Sequence, residues 1–281
     1  GICETEDARG GRLGNGVLFS SPKRNGRGKN VCVWAREQPF VDEIASTLKG
    51  EGIATTRFAR AGQGDIYMAK TAAEYFPLLF AVAKANAAFA LEQARIISFG
   101  HGTELYKGLE SLSVLDKVYG LSEMFADAML AHTRYPTGSG PLIVRAHPFS
   151  FGNVAIVHNG DLTSYMANLN ACLGKLAELY HRHTGKDPEA FYHDQLKSLV
   201  GTDSEMMAVM LYTLLKIGRE TDIQLSMRDI LSILVPRFEN QLTWLPRGSD
   251  ERTRLERLAS DYEGFGMDGP VSCLALITGE D

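Results

Sequence analysis

The chain has 281 residues, 44% of them hydrophobic, and its 34 acidic and 29 basic side chains leave a net charge of −5 at neutral pH. That length and apolar fraction suffice for a sizeable buried core, and a single domain over residues 1–281 is expected. Mild acidity with scattered basic residues argues against a nucleic-acid-binding surface.

The one basic cluster, Lys23, Arg24, Arg27 and Lys29, lies among glycines with no aromatic side chain to stack a base, and it reads as a solvated loop. The four cysteines, Cys3, Cys32, Cys172 and Cys273, are far apart and form no Cys-x-x-Cys pair, so no disulfide framework is implied. With no secretory leader in the sequence, a reducing cytoplasm is the expected compartment. The most apolar run, 75–90, contains Pro77, Lys84 and Asn86 and falls short of a membrane span.

In chain order, Gly1-Ile2-Cys3 suits the start of a strand, after which 4–8 turn polar. Gly14-Asn15-Gly16 leads into Val17-Leu18-Phe19, a strand whose glycine-rich entrance lets a backbone or a ligand come close. Residues 20–30 read as a hairpin-like loop to a second strand, Val31-Cys32-Val33-Trp34. A helix is expected over 39–50, with Phe40, Ile44 and Leu48 on one stripe. Residues 52–70 show no clear period and read as a lid or an insertion.

Helical spacing returns over 72–94 and gives way to the strand Arg95-Ile96-Ile97-Ser98-Phe99, ending on Gly100-His101-Gly102. A short helix over 112–119 leads to an apolar run, 124–130, expected as a buried strand that delivers Ala131 to Arg134. Val154-Ala155-Ile156-Val157 is another buried strand, ending at His158. Leu162, Tyr165, Met166, Leu169, Leu173 and Leu176 then fall three or four apart, as on a helix. A further helix opens at Thr202 and carries Met206, Met207, Met210, Leu211, Leu214 and Leu215. Helices over 227–234 and 251–262 follow, and after the turn Asp268-Gly269-Pro270 the chain closes with a core strand over 271–277.

Several polar groups stand out against this scaffold. Arg134 ends an apolar run, where a charge needs a partner. Its planar fork suits either a ligand carboxylate or an internal Asp or Glu. Thr137 can add a hydroxyl to such a carboxylate or serve a turn before Gly138. Asn159-Gly160 is a hairpin signal, yet helical spacing follows it. That leaves a side-chain amide and a glycine N–H at a strand end, an arrangement able to stabilise an oxyanion. Thr202-Asp203-Ser204-Glu205 matches a capping box. The box accounts for Thr202 and Glu205, while Asp203 either complements the helix dipole or receives a ligand ammonium. His132, His147 and His158 lack the spacing of a zinc site, so no metal is expected, and His181, His183 and His193 read as surface residues.

In this order, Ala-His-Thr-Arg-Tyr-Pro-Thr (131–137), Ala-His-Pro-Phe (146–149), Val-His-Asn-Gly (157–160) and Thr-Asp-Ser-Glu (202–205) resemble the class II glutamine amidotransferase domain. The likeness is greatest to the form at the front of glutamate synthase and to its stand-alone subunit relatives. Gly14-Asn15-Gly16 after Arg9-Gly10, and the closing Asp268-Gly269-Pro270-Val271-Ser272, are also similar to the stand-alone form. The match is loosest over 52–119.

The resemblance implies an α+β fold of the N-terminal-nucleophile hydrolase type, a four-layer αββα sandwich of two antiparallel sheets between helices. It implies hydrolysis of glutamine to glutamate and ammonia through an N-terminal cysteine thioester. Arg134 and Thr137 would hold the substrate α-carboxylate, Asp203 its ammonium, and Asn159 and Gly160 the oxyanion. The ammonia would pass to a glutamate-synthase-like partner that carries FMN and an iron–sulfur cluster, with no cofactor in this chain.

Family members begin Cys-Gly-Ile, whereas this sequence begins Gly-Ile-Cys. The resemblance thus places the nucleophile one residue before Gly1, and Cys3 takes that role only if trimming exposes it. A catalytically silent amino-acid-binding or regulatory subunit on the same fold is the alternative expectation.

Overall fold

The computed structural model of the chain describes residues 14–21, 28–134, 142–162, 164–220, 225–235, 242–263, 265–267 and 271–278. Two compact units are distinguished. The first holds the described residues up to His158, Asp194–Glu205, and those from Cys273 onward; the second holds Asn159–His193 and Met206–Ser272.

The strands are β1 (Gly14–Ser20), β2 (Lys29–Ala35), β3 (Ala59–Arg60), β4 (Ile66–Thr71), β5 (Ala94–His101), β6 (Thr103–Gly108), β7 (Ala128–Arg134), β8 (Phe149–Phe151), β9 (Val154–Gly160) and β10 (Val271–Ile277). The helices are α1 (Gln38–Gly50), α2 (Tyr75–Ala87), α3 (Leu112–Tyr119), α4 (Tyr165–Thr184), α5 (Pro188–Ser198), α6 (Asp203–Glu220), α7 (Met227–Leu234) and α8 (Asp250–Asp261). The strands pair in the orders β6-β1-β7, β3-β4-β2-β5 and β10-β9-β8. The registers of the first two sheets, and of β8 with β9, are antiparallel. The α+β class with antiparallel sheets expected from the sequence is the one observed.

In the first unit, Leu18, Leu105 and Leu130 from one sheet meet Cys32, Trp34, Ile66 and Ile97 from the second and Phe149, Ala155 and Val157 from the third, in one apolar core. Both edges of β1 are taken, by β6 and β7, and both edges of β2, by β4 and β5. β1 and β2 therefore do not pair with each other, and most of the hairpin-like loop expected over 20–30 lies outside the described residues. Lys29, expected in a solvated loop, instead opens β2 with 1% exposure, its ammonium 4.7 Å from the centre of the Tyr75 ring. A cation over an aromatic face keeps part of the stabilisation it loses with water.

Residues 52–70 are neither lid nor insertion, because β4 pairs along β2 and its Ile66 is fully buried. β6 was not expected at all. Its Thr103, Leu105, Tyr106 and Lys107 are all buried, so the polar residues fall on inward positions and no alternation is visible. At Gly102 (φ +57°) the chain turns from β5 straight into β6.

The helix expected over 72–94 stops at Ala87 because Asn86 is diverted to β5. Its side-chain amide donates to the Ile96 carbonyl (3.1 Å) and accepts from the Ile96 N–H (2.7 Å). On α1 the buried stripe is Val41, Ile44 and Leu48, with Phe40 beside it, edge-on to Phe89. The expected buried strand over 124–130 begins only at Ala128. As the outer strand of its sheet it buries one face, leaving Met129 63% exposed beside Leu130 at 8%. β10 is likewise no core strand: Leu274 is 68% exposed, and Leu276 is the residue that packs on the core.

In the second unit, α4 buries Leu169, Cys172, Leu173 and Leu176 and leaves Met166 exposed. Asn168 clasps Gly266, donating to its carbonyl at 2.7 Å and accepting from its N–H at 2.8 Å. α5, in a segment expected only to be polar, buries Phe191, which stacks on Tyr180. α7 opens with a complete capping box between Ser226 and Asp229, and Arg254 of α8 bonds the Asp229 carboxylate at 2.8 Å. The Arg254 guanidinium and the Ser226 hydroxyl hold that carboxyl below its ordinary range, against the effect of partial burial.

Among the glycines at the entrance to β1, Gly16 shows the close approach expected from the sequence. It lies between Lys107 and His132 in register. A Cβ there would overlap the His147 carbonyl oxygen and stand 2.8 Å from that of Tyr106. Both obstacles are backbone, which cannot swing aside. Gly16→Ala is expected to destabilise the protein by about 3 kcal/mol, measured as a lowered midpoint of denaturant unfolding with an unchanged slope.

Candidate active site

Two chain ends carry the candidate groups. β9 is buried from Val154 to His158 and then emerges, with Asn159 exposed and Gly160 closing the strand. Gly160 has φ +141°, a backbone state that a side chain disfavours. That conformation, rather than a hairpin, explains the glycine after Asn159, since α4 follows and no returning strand does.

The second chain end is the start of α6. Thr202 caps it, its hydroxyl accepting the Glu205 N–H at 3.2 Å. Only half of the expected capping box forms. The Glu205 carboxylate reaches past Thr202 to accept the N–H groups of Val200 (2.7 Å) and Gly201 (3.1 Å). Burial pushes the Glu205 carboxyl up, and the Arg95 and Lys107 charges pull the other way.

Asp203 is the first residue of α6, with its side chain 23% exposed. One carboxylate oxygen accepts the Ser204 N–H at 2.8 Å, and the other lies 3.9 Å from His158 Nδ1. The Ser204 hydroxyl, itself buried, lies 2.9 Å from His147 Nε2, 3.1 Å from His158 Nδ1 and 3.3 Å from Asp203 Oδ1. A hydroxyl has one proton and two lone pairs. A hydroxyl that donates to the carboxylate keeps both lone pairs, enough to receive an N–H from each ring. The His132 ring stacks against that of His147, centres 4.4 Å apart.

Of the expected site residues, Asp203 is thus tied to His158, which directly precedes Asn159 and Gly160 in β9. Arg134 ends β7 opposite Gly14 of β1, but its side chain lies outside the described residues, as do Thr137 and Cys3. The Ser204 bridge was missed in the sequence, because a serine between Asp203 and Glu205 reads as part of a cap. Among the described residues no group of three or more His, Cys, Asp or Glu could hold a metal ion, and no helix is long and apolar enough to cross a membrane.

Ser204→Ala would leave two buried imidazoles and a carboxylate without a shared partner. It is expected to cost about 2 kcal/mol of stability, read by denaturant unfolding, with Ser204→Thr recovering most of it.

Comparison with known proteins bears on what these groups do. The family model of the class II glutamine amidotransferases matches residues 57–250. The chain is 28% identical over 98 residues to glutamine–fructose-6-phosphate aminotransferase (isomerizing) of Haemophilus ducreyi, covering 35% of this chain and 16% of that protein. It is 35% identical over 71 residues to amidophosphoribosyltransferase of Methanocaldococcus jannaschii, 24% of this chain and 15% of that one. An uncharacterized protein of Archaeoglobus fulgidus is 30% identical over 79 residues, 28% of this chain and 21% of its own. The matched segment thus spans about a fifth or less of each relative's length. The family match, by contrast, covers well over half of this chain and takes in both β9 and the start of α6: the chain belongs to the class II glutamine amidotransferases.

Proposed function

We propose that residues 1–281 work as one glutaminase domain or subunit, which hydrolyses glutamine to glutamate and passes the ammonia to a glutamate-synthase-like partner. The observation that carries this reading is Asn159-Gly160 at the emerging end of a buried strand, with Gly160 held at φ +141°. An amide N–H2 followed by a glycine backbone N–H suits an oxyanion.

In this reading a cysteine thiolate adds to the carboxamide carbon of glutamine, and the carbonyl electrons move to oxygen. The Asn159 side-chain amide and the Gly160 N–H stabilise that oxygen. The tetrahedral adduct then collapses to a thioester, releasing ammonia with a proton returned by the cysteine's own α-amino group. Water cleaves the thioester to glutamate and regenerates the thiol. Arg134 and Thr137 bind the α-carboxylate of glutamine, and Asp203, partly exposed and already turned toward His158, receives its ammonium. Glutamine stands in the name of one relative, which supports it as the donor here. FMN and an iron–sulfur cluster belong to the partner in this scheme, and the setting is the cytoplasm.

The reading requires a cysteine with a free α-amino group beside Gly1 in the mature protein. Intact-mass measurement after treatment with a glutamine-like diazoketone is expected to show one adduct on an N-terminal cysteine. Glutamine binding without any adduct would favour the silent amino-acid-binding subunit instead.

Two substitutions separate binding from chemistry. Asn159→Ala is expected to lower kcat by about a hundredfold or more with little change in KM. Arg134→Lys keeps a positive charge but loses the bidentate fork, and is expected to weaken glutamine binding by about 2 kcal/mol, roughly thirtyfold. Unchanged binding with a lowered Tm in the Arg134→Lys protein would identify an internal ion pair in place of a substrate contact.

A further inference from the structure

Away from the candidate oxyanion groups, the first unit contains a cavity of about 40 Å³ between β5, β6, α2 and the chain leading into α6. Its polar lining includes Arg95, Lys107, Gln195, Ser198 and Glu205. The volume admits a few water-sized species.

Most of this lining is already paired. The Glu205 carboxylate accepts from Val200 and Gly201, the Gln195 amide donates to the Leu79 carbonyl at 3.4 Å, and the Ser198 hydroxyl donates to the Gln195 carbonyl at 2.8 Å. The cations are not satisfied in the same way. Arg95 is 3% exposed, and its two terminal guanidinium nitrogens meet no hydrogen-bond acceptor among the described residues. Lys107, also 3% exposed, spends one N–H on the Val144 carbonyl at 3.4 Å and lies 4.6 Å from the centre of the Phe149 ring.

Counted by hydrogen bonding, the cavity offers a surplus of donors. A water placed there would find few acceptors for its own two hydrogens, chiefly the Ser98 hydroxyl, which meets no partner among the described residues, and the Glu205 carboxylate. Counted by charge, it sets two cations against one carboxylate, an imbalance that is costly where water is largely excluded. Both counts are closed by an occupant that accepts hydrogen bonds, donates none, and carries one negative charge. Burial lowers the pKa of Lys107 to about 7, with Glu205 opposing that effect and Arg95 adding to it, so the ammonium is the form that a bound anion would restore.

We propose that this cavity binds a monovalent inorganic anion of halide size, held between the Arg95 guanidinium and the Lys107 ammonium. The ion fixes the first turn of α6 indirectly, because Glu205 lies in the same cavity wall two residues after Asp203.

The native protein crystallised and soaked in bromide is expected to show an anomalous peak within hydrogen-bond reach of Arg95 and Lys107. Water density there without an anomalous signal overturns the proposal. In solution at pH 6.5, Tm is expected to be about 2–4 °C higher in sodium chloride than in sodium gluconate of equal ionic strength. Lys107→Met is expected to abolish that difference. Equal Tm values for the native protein in the two salts would overturn the proposal even if the variant failed to fold.

Discussion

A single hydroxyl proton organises the buried polar part of the candidate site. Ser204 has one hydrogen to give and three polar neighbours, His147, His158 and Asp203. Those neighbours come from the segment before β8, from β9 and from the start of α6. Satisfying all of them couples the two rings to the orientation of the carboxylate. A buried polar network of this kind is stabilising only when complete, and completeness demands that the three segments keep register. The fold supplies it through close packing: Gly16 leaves room for the His147 backbone, and Thr202 starts the helix on which Ser204 sits.

The first unit shows a second consequence of burying polar groups. Lys29, Lys107 and Arg95 all lie within it, and each is handled differently. Lys29 faces an aromatic ring, Lys107 divides itself between a carbonyl and a ring, and Arg95 faces Glu205 without touching it. Burial lowers the pKa of Arg95, and the Glu205 charge only partly opposes that. Such groups do little for net stability compared with apolar residues of similar size. Their presence in three neighbouring strands makes the inner surface of this unit unusually polar for a β-sandwich core.

The same polarity explains which parts of the fold were legible in the sequence. β2 and β9 announce themselves as short apolar runs, Val31 to Trp34 and Val154 to Val157, and α3, α6 and α7 by helical spacing of their apolar residues. β6 does not, since Thr103 and Lys107 are buried polar residues, and an alternation rule discards them. β4 was hidden among the glycines of 52–70. α2 was overextended because Asn86-Ala87-Ala88 still looks helical, whereas the Asn86 amide pairs with Ile96 as a neighbouring strand would. β10 was misjudged for another reason: an apolar strand reads as core whether or not anything covers it. At the site, the motif order was legible as a family likeness, and the start of α6 as a cap. The Ser204 bridge was not, because its two imidazole partners lie 57 and 46 residues before it.

The buried thiols have a practical meaning for the chemistry of this protein. Cys32 is sealed within β2, where burial raises its pKa to about 11, and burial likewise pushes the Cys172 thiol on α4 well above its ordinary value. Neither presents a thiolate at neutral pH, and the thiolate is the reactive form. Among the described cysteines, Cys273 alone is exposed. An electrophile offered to the folded protein therefore finds the Cys32 and Cys172 thiols closed to it, and among the described cysteines only Cys273 within reach.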